Sequence, residues 1–205
     1  MLFSAVLVLT VVGAELPASE SIVYRTEEKG KVGYLTATIR RDSGMVMINY
    51  SSDRVVDVRI DQGDLRTLWV RKIIQGKKDF EFERRGDTIW TEYHGRHKVF
   101  HTTEPVFDRH TLDYFFRQDV YDTLYTRQIM LHLPELGLKS VRIRVAGEET
   151  VKTELGDIPC RRVLMTAKVL IFKIELAFLI EKEYPYRYVK LEDKKRKMVI
   201  FRYSR

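Results

Sequence analysis

The sequence is poor in residues that staple or interrupt a chain. It has one cysteine, Cys160, so no intrachain disulfide can form and stability must come from packing. A lone thiol in an alternating segment reads as a small buried hydrophobe. Only 11 glycines and 5 prolines occur in 205 residues, which excludes a fibrous repeat or a low-complexity chain. The readable catalytic signatures are missing too: there is no G-x-S-x-G elbow, P-loop, G-x-G-x-x-G or C-x-x-C. The expectation is therefore a non-enzyme with no cofactor and no metal.

The first fourteen residues lack charge altogether. Residues 2–14 read LFSAVLVLTVVGA, too short a run to span a bilayer core of about 30 Å at about 1.5 Å per residue. The run has the size of a signal-peptide apolar region, and Val12-Gly13-Ala14 supplies the small residues of a cleavage site. No Lys or Arg precedes it. Glu15 stands where a lipid-anchored protein would carry cysteine. These features predict a signal peptide over 1–14 cleaved after Ala14, a polar leader over 15–21, and one β-rich domain over 22–205. The location they predict is the periplasm or cell envelope.

Net charge is +7, and all of it lies beyond the uncharged start. Such an excess favours anionic partners. For an exported protein these are lipid or another anionic envelope surface, not nucleic acid. The apolar stretch 163–180 is interrupted by Lys168, Lys173 and Glu175, which are costly in lipid. It reads as two adjacent core strands, leaving no transmembrane span in the mature chain.

Alternation with period two dominates from Ile22 onward, the mark of half-buried strands. Val56, Val58 and Ile60 alternate with Asp57 and Arg59; Phe80 and Phe82 with Glu81 and Glu83; Val141, Ile143 and Val145 with Arg142 and Arg144. Ile129, Leu131 and Leu133 alternate with Gln128, Met130 and His132. Turn signals fall between such runs at Ser43-Gly44, Gly63-Asp64, Gln75-Gly76, Gly86-Asp87, Gly147-Glu148 and Gly156-Asp157. About ten strands joined by hairpins are predicted, and an antiparallel sheet of that size curls, closes or splits. The fold class expected is mainly β: a strongly curved antiparallel sheet, half-barrel or open barrel, with one main helix on its concave face.

That helix is predicted where Phe107, Leu112, Phe115, Phe116 and Val120 follow helical spacing, with Asp108 as N-cap and Pro105 just outside. Phe107, Leu112, Phe115 and Phe116 are the candidate ligand-binding residues, because an aromatic stripe on the concave face either plugs the core or lines a cavity. A second candidate surface is the basic run Lys194, Lys195, Arg196 and Lys197, read as a hairpin tip flanked by Tyr184, Tyr186, Tyr188, Phe201 and Tyr203. The best metal candidate, His94, His97 and His101, is poorly spaced. His97 and His101 would lie roughly 13 Å apart along a strand.

Three short segments together resemble a known group. They are Phe107-Asp108-Arg109-His110-Thr111-Leu112-Asp113, Val145-Ala146-Gly147-Glu148-Glu149, and the run from Thr153 through Gly156 and Pro159 to Arg161. Their order resembles the bacterial exported family called domain of unknown function 3108. The match departs near the C-terminus, where Tyr184-Pro185-Tyr186 replaces a Trp-containing strand. The resemblance implies an envelope location and a curved sheet wrapped around a helix, similar to periplasmic lipoprotein carriers. It implies no catalytic residue. The functional expectation is a non-catalytic envelope protein holding an apolar ligand, lipid or partner segment in the sheet concavity. The alternatives are an envelope hydrolase using the His94/His97/His101 region and an assembly factor with no ligand.

Overall fold

The computed structural model describes residues 16–118, 124–169, 172–192 and 196–205. Within them one fifteen-stranded sheet forms, together with a single short α-helix. Strands β1 (Ser19–Glu28), β2 (Lys31–Asp42), β3 (Met45–Ser51), β4 (Arg54–Asp61), β5 (Thr67–Ile74), β6 (Lys77–Arg85), β7 (Thr88–Tyr93) and β8 (Arg96–His101) form an antiparallel meander. The short strand β9 (Val106–Asp108) leads through a 3-10 turn (Arg109–Thr111) into helix α1 (Leu112–Gln118). Then follow β10 (Thr126–Leu133), β11 (Gly137–Thr153), β12 (Gly156–Val169), β13 (Phe172–Glu181), β14 (Tyr188–Glu192) and β15 (Arg196–Ser204).

The two halves join because the first strand pairs with the last, β1 with β15, so the sheet edges are β8 and β9. Every neighbouring pair is antiparallel except β9 and β10. The expected ten strands undercount the sheet because some two-residue turns, Lys29-Gly30 and His94-Gly95 among them, pass unseen between similar strands. Lys29-Gly30, Ser43-Gly44, Gln75-Gly76 and His94-Gly95 each hold two positive φ angles, the type I′ geometry whose twist matches a hairpin. Gly147-Glu148, expected as a turn, is instead a bulge inside the 17-residue β11.

Alternation builds the concave face. Ile39, Ile48, Val58, Val70 and Phe82 lie directly opposite one another across β2 to β6, and all are buried. Fully burying each such side chain stabilises the fold by about 1.5–3 kcal/mol. Val141, Ile143 and Val145 supply the facing wall. Residues 163–180 do supply two adjacent strands, β12 and β13.

The sheet curls but does not close, because its ends overlap instead of pairing. His132 sits on β10 opposite in parity to buried Leu131, yet it is itself 1% exposed. Its ring lies 5.6 Å from Phe80, 5.3 Å from Phe82 and 6.0 Å from Phe100. The concave side of β6 to β8 therefore covers the outer side of β10 at His132, so both sides of that strand are buried at Leu131 and His132. The parity that placed His132 on a solvent face fails for this reason.

Candidate functional site

The concavity is filled from within by the turn and helix that follow β9. Asp108 has extended backbone (φ −95°, ψ 154°), and its carboxylate accepts hydrogen bonds from the His110 amide (2.9 Å) and His110 Nδ1 (2.6 Å). It is thus the N-cap that the sequence predicts, although of a 3-10 turn. Its second oxygen lies 3.5 Å from His132 Nδ1. Burial pushes this carboxyl upward, but the two imidazoles outweigh burial and hold it well below the ordinary carboxylate range. The Asp108 amide donates to Thr67 Oγ1 (2.8 Å) and the Thr111 hydroxyl donates to the Asp108 carbonyl (2.7 Å). Thr67 and Thr111 approach each other to 3.3 Å. Both hydroxyls beside the Asp108–His110 pair are committed to holding the backbone and each other, so the pair orients this turn.

Two further polar contacts fix α1 itself. Arg117 forms a two-pronged pair with Glu20 of β1 at 2.6 and 3.0 Å and also donates to the Pro185 carbonyl at 3.2 Å. Tyr50 Oη lies 2.6 Å from Asp113 Oδ2 and 2.9 Å from the His110 carbonyl. One hydroxyl proton cannot serve both acceptors. Burial, above all, pushes the Asp113 carboxyl up, against the pull of Tyr50 and Arg117. A protonated Asp113 donating to Tyr50, with Tyr50 donating to His110, satisfies every group.

Phe107, Leu112, Phe115 and Phe116 are all buried. Phe107 belongs to β9, not to the helix, and Val120 lies outside the described residues. The rings form a continuous aromatic chain: Phe107 to Phe115 (4.8 Å), Phe115 to Phe116 (5.6 Å), Phe116 to Phe178 (4.7 Å), then Tyr188 and Tyr24. An open groove of about 450 Å³ meets this stripe at Phe107, between Pro105, Arg127 and Met130. The Arg127 guanidinium stacks 5.2 Å from the Phe115 ring.

The other sequence candidates are dispersed. Lys194 and Lys195 lie outside the described residues, as do residues 1–15 with the expected signal peptide. Arg196 begins β15, and Lys197 is exposed on it, opposite Glu27 and Glu192. Of the flanking aromatics, Tyr188 turns inward and Tyr184 outward. His94 occupies a hairpin turn with Nδ1 3.6 Å from Asp79, His97 faces Glu92, and His101 contacts Thr88 at 3.2 Å. Among the described residues no three His, Cys, Asp or Glu side chains gather as a metal site. The histidines that do meet a buried carboxylate, His110 and His132, were not singled out from sequence. The only local signal was the Asp108-x-His110 spacing at a helix start. Cys160 is buried, and its thiol is pushed up to about 12, first by burial and then by Glu181 and Glu149.

No curated protein matches the sequence significantly. Among solved structures, the chain resembles a β-barrel-like protein of the DUF1849 domain from Brucella abortus. Identity is 6%, 92% of this chain and 98% of the other are covered, and the TM-score is 0.55, a likeness of fold alone. A protein from Parabacteroides distasonis ATCC 8503, provisionally described as a lipoprotein, aligns at 10% identity over 92% and 97% of the two chains, with a TM-score of 0.35. A family model described as "Protein of unknown function (DUF3108)" matches residues 9–197. Because that match spans nearly the whole chain, the protein belongs to the DUF3108 family.

Proposed function

We propose that this is an exported, non-catalytic envelope protein that holds an apolar ligand, lipid or partner segment in the concavity of its sheet. The ligand takes the place that Leu112, Phe115 and Phe116 occupy in the unloaded state. The supporting observation is the way α1 is held. A seven-residue helix fills an apolar concavity, yet it is fastened by Glu20–Arg117, Tyr50–Asp113 and Asp108–His110. A buried ion pair contributes less to stability than apolar packing of similar volume. Such contacts suit an element that must seat in one register and still leave. The groove at Phe107 supplies a path to the stripe. Export rests on the uncharged apolar start, and the net charge of +7 agrees with work at an anionic surface.

The test is native mass spectrometry of protein recovered from the envelope after expression with its own leader. The expected result is a lipid-sized adduct whose occupancy rises in Phe116→Ala, where the helix fills the site less well. Adduct-free spectra for both proteins would overturn the reading.

A further inference from the structure

The convex side of β2, β1, β15 and β14 is unlike the rest of the surface. Tyr34 lies opposite Arg25, Arg25 opposite Val199, and Val199 opposite Lys190, which makes one row across four strands. Val32, Glu27 and Lys197 form the neighbouring row with the same orientation. These residues point away from Tyr24 and Ile200, the buried residues of the same strands. Val32 and Tyr34 are each 53% exposed, the Tyr34 ring rests 5.3 Å from Phe201, and Arg202 covers Phe201 at 5.6 Å. A groove of about 540 Å³ runs along this face, between the rows and the far half of β11. Arg25, Lys190 and Lys197 stand on its floor beside Val199 and Phe201.

We infer that this face docks on an anionic phospholipid bilayer. Val32, Tyr34 and Phe201 enter the headgroup layer, while Arg25, Lys197 and Arg202 meet the lipid phosphates. Charge complementarity identifies the occupant. Five cations, Arg25, Lys152, Lys190, Lys197 and Arg202, share the face with three carboxylates, Glu27, Glu149 and Glu154, and Glu149 is already held by Arg162 at 3.9 Å. A chain of net charge +7 is drawn to an anionic leaflet from a distance, and exposed aromatic rings then anchor it at the interface. A soluble acidic partner would be read by the cations alone and would leave Val32 and Tyr34 in water. This inference goes beyond the ligand reading and does not need it, since the concavity opens elsewhere, at Phe107.

The experiment is co-sedimentation of the full chain with vesicles of phosphatidylcholine, with and without about a quarter phosphatidylglycerol. Variants of equal length are compared, so the apolar leader contributes equally to all. Each basic residue at an anionic surface strengthens binding about fivefold, so Arg25→Gln with Lys197→Gln weakens it about 25-fold. Tyr34→Ala weakens binding to both lipid mixtures. Arg96→Gln with Lys98→Gln, the same charge removed from β8, leaves binding within about twofold. Thermal melts confirm that each variant is folded. The inference is overturned if the β8 variant loses as much as the Arg25/Lys197 variant, or if dextran sulfate binds as tightly as the anionic vesicles. Failure of the wild type to prefer anionic vesicles overturns it as well. Lipid-sized adducts in the mass spectra would survive any of these failures.

Discussion

Replacing Glu20 by alanine tests what seats the helix. The Glu20 and Arg117 side chains are 0% and 1% exposed, and they meet at 2.6 and 3.0 Å across 97 positions of sequence. Burial would lower the affinity of Arg117 for its proton, but the hydrogen bonds to Glu20 more than offset this, and the net direction is upward. Removing Glu20 leaves the buried guanidinium, among the described residues, with one carbonyl partner, that of Pro185. Breaking one side of a buried pair costs about 3–5 kcal/mol. For a domain of roughly 150–250 residues, each kcal/mol moves Tm by about 2–4 °C, so a fall of roughly 6–20 °C is expected. Replacing both partners, Glu20→Leu with Arg117→Met, should restore most of the loss, because apolar side chains can fill the site without an orphaned charge. Circular-dichroism melts at pH 7 of wild type, Glu20→Leu, Arg117→Met and the double variant close the cycle, with Glu20→Ala melted beside them. A fall under about 2 °C for Glu20→Ala, or a double variant no more stable than the worse single one, would refute this account.

Other outcomes follow from the same contacts. Cys160, buried and with its thiol pushed up to about 12, should resist alkylation at pH 8 in the native protein and react once denatured, as intact-mass analysis would register. Asp113→Asn should match or exceed wild-type Tm at pH 7. The raised folded value makes the wild-type carboxyl stabilising below its unfolded value of about 3.9 and progressively less so as pH rises, so the variant's advantage should vanish toward pH 4. Asp108→Asn should behave oppositely. The depressed folded value stabilises wild type above about pH 3.9, so the variant's deficit is full at pH 7 and narrows only in strong acid, as melts across pH would trace. Gly95→Ala should cost about 1–2 kcal/mol: φ is +74°, and an added Cβ would meet nothing within 4 Å, so the loss is backbone strain alone. Urea titration measures it.

The sequence alone determined the fold class and the strand faces. Val56, Val58, Ile60, Phe80 and Phe82 face inward because period two depends only on local backbone geometry. The Asp108 cap and the burial of the Phe107–Phe116 stripe were legible for the same reason, since spacing and capping act over a few residues. What the tertiary structure decided was the pairing of distant parts. Nothing in 19–28 marks it as the partner of 196–204, and nothing in Glu20 signals an Arg117 reached across 97 positions. The overlap of the sheet ends turned His132 from a solvent residue into a buried one beside Asp108, and it left His94, His97 and His101 on an exposed hairpin. Such arrangements depend on how far a curved sheet curls and where its ends overlap. The curl sums the twist and bulges of fifteen strands, a global quantity that no local pattern encodes.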